Sequence, residues 1–324
     1  MIKMKLVKPG LFIGTREDAN NIENLRQCNI NRILTIDSQV PDERHVAVTD
    51  NKITRLHVDC LDEPTADLLS LFDRCIQFIE EGIRNNETVL VHCLSGVSRS
   101  VTIILAYLMK TESLTLDKAV SRLKQVYYED KVNPNPGFMK QLRLYEVMEN
   151  TVDESSKVFK QFKLKLLADQ IKENGAANKE LMTEFLKEAT SRNAMTTASN
   201  DLQQYKCKKC RITLFHSTSI VEHDPNQGSH LFGWQKPTSQ TTGLANTNNV
   251  ACTSVFIDPV EWMSSFLLGS IEGKLLCPKC NCRLGSFNWS GMQCSCAAWI
   301  TPAFQFHKNK IDQVLKINAI PSHT

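Results

Sequence analysis

Residues 88–110 read TVLVHCLSGVSRSVTIILAYLMK, and three textures follow one another in them. TVLVHC (88–93) is a short, apolar, largely β-branched run, which predicts a strand; VTIILAYLMK reads as a helix; between them lies a loop of small and polar residues. A strand that feeds a short loop and then a helix leaves several backbone N–H groups at the helix N-terminus, where the partial positive charge favours an anion. The loop Leu94, Ser95, Gly96, Val97, Ser98, Arg99 is therefore a phosphate cradle. Cys93 opens it, and the same positive environment favours its thiolate over its thiol, giving a nucleophile. Arg99, six residues on, can fold back and fork two hydrogen bonds onto phosphate oxygens, which a lysine cannot match. Gly96 lets the backbone approach the ligand closely. His92 orients the loop, and the Ser100 hydroxyl can hydrogen-bond the sulfur when it leaves.

Outward from this stretch, LFIG (11–14), RILTI (32–36) and ITRLHV (53–58) also read as strands. Helical spacing runs from Asp67 to Gly82, where Leu68, Leu71, Phe72, Cys75, Ile76 and Ile79 share a face, and again over 98–110, 115–128 and 137–149. Strands alternating with helices predict an α/β domain, a central sheet flanked by helices, over residues 1–150.

The run His92-Cys93-x5-Arg99-Ser100 resembles the signature of the cysteine-dependent protein phosphatases, in its dual-specificity form. Upstream, Leu61-Asp62-Glu63-Pro64-Thr65-Ala66-Asp67-Leu68 is similar to that family's acid loop, with Asp62 at the position of the general acid and Asp59 a nearby rival. Downstream, Asn135-Pro136-Gly137-Phe138-Met139-Lys140-Gln141-Leu142 is similar to its closing segment. The resemblance implies a protein phosphatase acting on phosphotyrosine and phosphoserine or phosphothreonine. Cys93 attacks phosphorus, Arg99 and the loop amides hold the equatorial oxygens, Asp62 protonates the leaving group, and water then hydrolyses a phosphocysteine. Neither step calls for a metal. The loop residues LSGVS carry no basic side chain, which points to phosphoprotein substrates rather than phosphoinositides or RNA.

The remainder of the chain has a different character. With 324 residues and 42% hydrophobic content, it exceeds what one core usually serves, about 250–300 residues, so a second domain is expected. No run reaches the ~18 consecutive apolar residues of a membrane helix, and MIKMKLVKPG lacks the apolar stretch of a signal peptide; a reducing compartment is expected, where clustered cysteines bind metal or do chemistry. Residues 1–150 hold 19 Lys+Arg against 21 Asp+Glu, and 151–324 hold 19 against 14, a mild basic bias in the second half. Residues 151–204 read as a helix, SKVFKQFKLKLLADQIKE, followed by a flexible linker rich in Asn, Ala, Thr and Ser. A cysteine-rich domain is expected over 205–307, with a polar tail at 308–324.

Of the twelve cysteines, eight lie between Cys207 and Cys296. Cys207-Lys-Lys-Cys210, Cys277-Pro-Lys-Cys280 and Cys294-Ser-Cys296 each let two thiolates bite one tetrahedral zinc from a tight turn. Ligand counting in chain order predicts two structural zinc ions, one held by Cys207, Cys210, His223 and Cys252 and the other by Cys277, Cys280, Cys294 and Cys296. His216 or His230 could supply the imidazole instead, and Cys282 is left as a spare thiol. Alternating runs such as VFIDPVEWM, LGSFNW and WITPAFQF predict a small β-rich zinc-binding domain around these ligands.

Those runs, with Leu276-Cys277-Pro278-Lys279-Cys280 and Trp299-Ile300-Thr301-Pro302-Ala303-Phe304, resemble the dual specificity protein phosphatase 12 family, which shares the two-domain plan. Cys282 and the linker depart from that pattern. The resemblance implies a second role, in maturation of the large ribosomal subunit, with a pre-ribosomal, rRNA-rich partner for the zinc domain and residence in nucleus and cytoplasm. No heptad pattern argues for a dimer, so a monomer is expected.

Overall fold

The structure, a computed structural model, describes residues 4–39, 53–175, 203–223 and 252–314, together with 182, 183 and 185–187. The chain divides into two compact units, Met1–Phe159 and Lys160–Thr324.

The first unit is built on a five-stranded sheet of order β1-β2-β5-β3-β4, formed by β1 (Lys5–Lys8), β2 (Leu11–Thr15), β3 (Ile30–Ile36), β4 (Thr54–Val58) and β5 (Thr88–Cys93). β2, β5, β3 and β4 run parallel, and only β1 is antiparallel, to β2. Parallel central strands are covered on both faces and so read as continuous apolar runs. Leu11 and Ile13 on β2, Ile33, Leu34 and Ile36 on β3, and Val89, Leu90 and Val91 on β5 are all fully buried. That is why these three strands were visible in the sequence as unbroken hydrophobic stretches.

Helix α4 (Arg99–Thr111) leaves the end of β5 and is buried at every residue from Arg99 to Met109. Its all-round apolar sequence belongs to a helix covered on all sides. Helix α3 (Phe72–Arg84) instead buries one stripe, Phe72, Cys75, Ile76, Ile79 and Gly82. Its helical spacing begins at Asp67 in the sequence because that carboxylate accepts hydrogen bonds from the Ser70 backbone and hydroxyl, at 3.1 and 2.6 Å, on the 3-10 turn Leu69–Leu71 that leads into the helix. α5 (Leu116–Lys124) and α6 (Pro136–Val147) complete this layer. Two short helices went unread, α1 (Arg16–Asn20) and α2 (Ile22–Gln27). They are too short for periodicity to show; α1 is held by a capping box in which Thr15 and Asp18 satisfy each other's backbone N–H.

The second unit is antiparallel. β8 (Ile220–Val221), β9 (Ser254–Ile257), β10 (Glu272–Leu276), β11 (Arg283–Asn288) and β14 (Ala303–His307) make a sheet of order β10-β11-β14-β9-β8. β6 (Gln204–Cys207), β7 (Thr213–His216) and β15 (Ile311–Val314) make a second, of order β15-β6-β7, and β12 (Met292–Gln293) pairs with β13 (Trp299–Ile300). Trp289, Phe287, Phe304 and Phe306 are buried at the centre of the core.

Two expected boundaries move. Helix α7 (Lys157–Asn174) supplies the expected helical stretch, but its Leu164, Leu167, Ala168 and Ile171 belong to the core of the second unit. Met182, Phe185 and Leu186, expected in a flexible linker, are buried in the same core. The Asn/Ala/Thr/Ser-rich composition around them hid three apolar residues at i, i+3, i+4, the spacing of one helix face; the rest of 176–202 lies outside the described residues. Likewise the expected tail contains β15, whose Ile311 pairs with Cys207 and is buried. Among the described residues, no helix is long and apolar enough to cross a membrane.

Candidate active site and metal centres

The end of β5, the loop 94–98 and the first turn of α4 form a cup around Cys93. Its sulfur is fully buried; it accepts a hydrogen bond from the Gly96 backbone N–H at 3.3 Å and lies 3.3 Å from the Ser100 hydroxyl. Leu94 and Ser95 are exposed at the mouth, while Gly96, Ser98 and Arg99 are buried and Val97 is half-buried. Gly96 has φ +70, and a Cβ there would stand 2.6 Å from the Tyr127 hydroxyl and 2.9 Å from the Gly14 carbonyl oxygen. Only glycine satisfies both the left-handed backbone and the close packing. Tyr127 in turn donates to the Gly96 carbonyl at 2.8 Å, fixing the loop from outside.

Arg99 is 5% exposed, and its guanidinium is aimed by backbone and carboxylate. Nη1 donates to Asp37 Oδ1 at 3.1 Å and to the Cys60 carbonyl at 3.0 Å, while Nε is buried without a hydrogen-bond partner. Asp37 also accepts from Arg16 Nη2 at 2.5 Å. Burial alone would raise the Asp37 pKa, but the hydrogen bond from Arg16 and the charges of Arg99 and Arg16 outweigh it and hold the carboxyl below its ordinary value. Sequence reading missed Asp37 and Arg16; the one signal was an acidic residue directly ending the apolar run RILTI.

Asp62 stands over the same cup. Its Oδ1 accepts from the Ser98 hydroxyl at 2.6 Å and from Asn135 Nδ2 at 2.9 Å, and its Oδ2 lies 3.8 Å from Arg99 Nε. Asp59, its rival, is exposed, and it is Asp62 that is tied to the loop. The downstream segment explains how. Asn135 caps α6 by accepting from the Phe138 N–H while its amide holds Asp62. Gln141, buried, accepts from the backbone N–H of Leu68 and Leu69 at 3.0 and 2.7 Å and donates to the Ala66 carbonyl at 2.8 Å. Gly137 lies under Pro64, whose carbonyl oxygen a Cβ would overlap. Three residues of one helix start thus clamp the acid loop. A Gly137→Ala variant is expected to fold but to push that loop outward, lowering kcat for an alkyl phosphate by about 10²-fold and for an aryl phosphate, whose leaving group needs less help from an acid, by less. Steady-state kinetics on the two substrates checks this.

His92 lies behind the cup. Its Nδ1 is 3.3 Å from the Cys93 carbonyl and its Nε2 is 2.8 Å from the Thr35 hydroxyl. Since a carbonyl only accepts, the Nδ1–H tautomer is the one that satisfies both contacts, with Thr35 donating to Nε2. Burial pushes the imidazole pKa down from 6.5 to about 4. The unfolded chain therefore takes up a proton here between those values and the folded chain does not. Stability is full above the unfolded value and falls as pH drops from 6.5 toward 4, by about 3 kcal/mol in all. Urea unfolding of the first unit across this range should show that slope in the native protein and a shallower one in His92→Gln.

The second unit gathers its sulfurs in two places. Cys207, Cys277, Cys280 and Cys282 have ligand atoms mutually within 4.8 Å, as do His223, Cys252, Cys294 and Cys296. Cys210 joins the first group, its Sγ being 3.5 Å from that of Cys277. In the second, His223 Nε2 lies 3.3 Å from Cys294 Sγ and 3.4 Å from Cys252 Sγ. His216 is exposed at the end of β7, and His230 lies outside the described residues.

The eight expected ligands are all found in these groups, but their pairing in chain order is incorrect: the groups are crossed. The two CxxC turns meet each other, and the isolated His223 and Cys252 meet Cys294 and Cys296. The reason is topological. The first CxxC turn follows β6 of the three-stranded sheet and the second lies between β10 and β11 of the five-stranded one, and Cys207 and Cys277 share one core, so the packing of the two sheets rather than chain order sets which turns face. Cys282 is no spare thiol, for its Sγ is 3.5 Å from that of Cys207. The donors fit a soft, tetrahedral metal: thiolates at a Zn–S distance of ~2.3 Å stand about 3.8 Å apart along a tetrahedron edge, and the Cys207–Cys280, Cys207–Cys282 and Cys210–Cys277 sulfurs are 3.5 to 3.8 Å apart. Backbone N–H groups of Lys209 and Cys210 point at Cys207, and those of Lys279 and Cys280 at Cys277, which supports thiolate charge as a metal site requires.

Comparison with known proteins agrees with both halves. A profile described as "Dual specificity phosphatase, catalytic domain" matches residues 11–148. The chain is 42% identical over 318 residues to "Dual specificity protein phosphatase 12" of Rattus norvegicus, covering 98% of this chain and 91% of that one. It is 41% identical over 322 residues to the Homo sapiens protein of the same name, covering 99% and 92%. Among solved structures, the Yvh1 phosphatase domain from Chaetomium thermophilum is similar at 25% identity and a TM-score of 0.42, covering 46% of this chain and 99% of that one. With identity of this degree over nearly the full length of both chains, the chain belongs to the dual specificity protein phosphatase 12 family and is a dual-specificity protein phosphatase.

Proposed function

We propose that the chain hydrolyses phosphotyrosine and phosphoserine or phosphothreonine in proteins through a phosphocysteine formed on Cys93. The observation that carries this reading is the convergence on one cup of a buried sulfur facing a backbone N–H, a guanidinium anchored by Asp37, and the Asp62 carboxyl. Cys93 attacks phosphorus in line, and the S–P bond forms as the P–O bond to the leaving group breaks. Arg99 and the loop amides hold the equatorial oxygens, and Asp62 delivers its proton to the departing oxygen. Water attacks the phosphocysteine next; Asp62 takes its proton, and the Ser100 hydroxyl donates to the sulfur as it departs. Every group in this cycle belongs to residues 37–100, and none of the steps draws on the metal centres.

The second unit, in this reading, is a binding module that two structural zinc ions hold in shape, His223, Cys252, Cys294 and Cys296 closing one and the CxxC turns the other. Its excess of basic over acidic side chains suits an acidic, rRNA-rich partner, as a ribosome-assembly role would require.

Asp62→Asn tests the mechanism. It keeps the hydrogen-bonding shape of the side chain but carries no transferable proton, so kcat for an alkyl phosphate should fall by about 10²–10⁴-fold, and the limb of the pH–rate profile that reports the acid should vanish. A variant as active as the native enzyme with an unchanged profile would remove Asp62 from the mechanism.

A further inference from the structure

The first metal centre holds five thiols where a closed tetrahedral site takes four. The two CxxC turns are built alike. In one, the Cys207 N–H donates to the Ile212 carbonyl, the Arg211 N–H donates to the Cys207 carbonyl, and Arg211 has φ +64. In the other, the Cys277 N–H donates to the Cys282 carbonyl, the Asn281 N–H donates to the Cys277 carbonyl, and Asn281 has φ +53. Cys282 therefore occupies the position that Ile212 fills in the sister turn, where the side chain only packs against the core. A thiol at that position reaches the metal ligands: its Sγ is 3.5 Å from Cys207 Sγ.

Two complete ligand sets share three members. Cys207, Cys277, Cys280 and Cys282 are mutually within 4.8 Å, and Cys210 Sγ is 3.5 Å from Cys277 Sγ. Cys207 and Cys277 are buried, while Cys210, Cys280 and Cys282 are partly exposed, so both candidates for the fourth place lie on the open side of the centre, where a side chain has room to move. We propose that Cys282 is an alternative fourth ligand of this centre, exchanging with Cys210. In the exchange a metal–sulfur bond to Cys282 forms as the bond to Cys210 breaks; the entering thiol gives up a proton and the departing thiolate gains one, with no change of oxidation state. This rests on the zinc reading of the second unit and is specific to the first centre, since it is there that a fifth thiol lies beside a group of four.

The test uses the full chain, loaded with zinc for metal analysis and with cobalt(II) for its absorption spectrum. Cys210→Ala and Cys282→Ala should each keep both metals and the charge-transfer and visible bands of a tetrathiolate centre. The double variant should lose one metal and those bands. Loss of the metal in Cys210→Ala alone would overturn the exchange. The zinc-loaded native protein supplies a test that needs no variant to fold: limited alkylation followed by peptide mapping should find the label divided between Cys210 and Cys282, and label confined to Cys282 would refute the proposal. A native protein that binds no metal at this centre would overturn the zinc reading itself.

Discussion

Cys93→Ser should lose hydrolysis of a small aryl phosphate by at least about 10⁴-fold while retaining its fold and its affinity for an oxyanion. The serine is nearly isosteric, and the site around it is preformed. Gly96 is held by Tyr127, Arg99 by Asp37 and the Cys60 carbonyl, and Asp62 by Ser98 and Asn135. None of these contacts uses the sulfur. What is lost is the sulfur nucleophile on which the phosphocysteine forms. Initial rates beside thermal melts and tungstate titration separate the two effects, and comparable activity in the variant would leave the phosphocysteine route without its nucleophile.

Metal removal should be nearly as severe, but in the other unit. Structural zinc at thiolate-rich sites supplies folding free energy of about 10 kcal/mol or more. The second centre is enclosed by a small cluster of its own, Phe256, Cys294, Cys296, Ala298, Ile300 and Ala303, too few apolar groups to order its loops unaided. A strong thiol-compatible chelator should therefore lower the melting temperature of the second unit by ~20 °C or more and expose the Trp289 ring, now fully buried, to quenchers. Aryl-phosphate hydrolysis should persist, because the cup lies wholly within the first unit. Cys294→Ser should reproduce the effect without chelator. A second unit that melts unchanged after complete metal removal would show that its apolar core suffices.

The first unit was legible because its key elements are continuous in sequence. β5, the loop and α4 follow one another without a break, and strands covered on both faces advertise themselves as apolar runs. Short amphipathic pieces such as α1 and α2 carry no such signal, nor does Asp37, whose partners Arg16 and Arg99 are brought to it only by the parallel pairing of β2, β5 and β3. The closing segment was recognised by its residues, but its purpose is visible only in space: Asn135, Gly137 and Gln141 clamp a loop about seventy positions away in the chain. In the second unit the ligands could be picked out by residue type and spacing, yet their grouping could not, because β6 and β11 bring together cysteines that counting in order separates. Cys282 was set aside by the same counting, and the buried Met182, Phe185 and Leu186 were averaged away by polar neighbours.

The central claim is that phosphate passes through the sulfur of Cys93. The direct test is rapid denaturation of Asp62→Asn during turnover of an aryl phosphate, followed by intact-mass measurement and peptide mapping. One added phosphoryl group on the Cys93 peptide, absent when Cys93→Ser is combined with it, is the predicted result. A phosphoryl group on any other residue, or turnover that persists in Cys93→Ser, would contradict it.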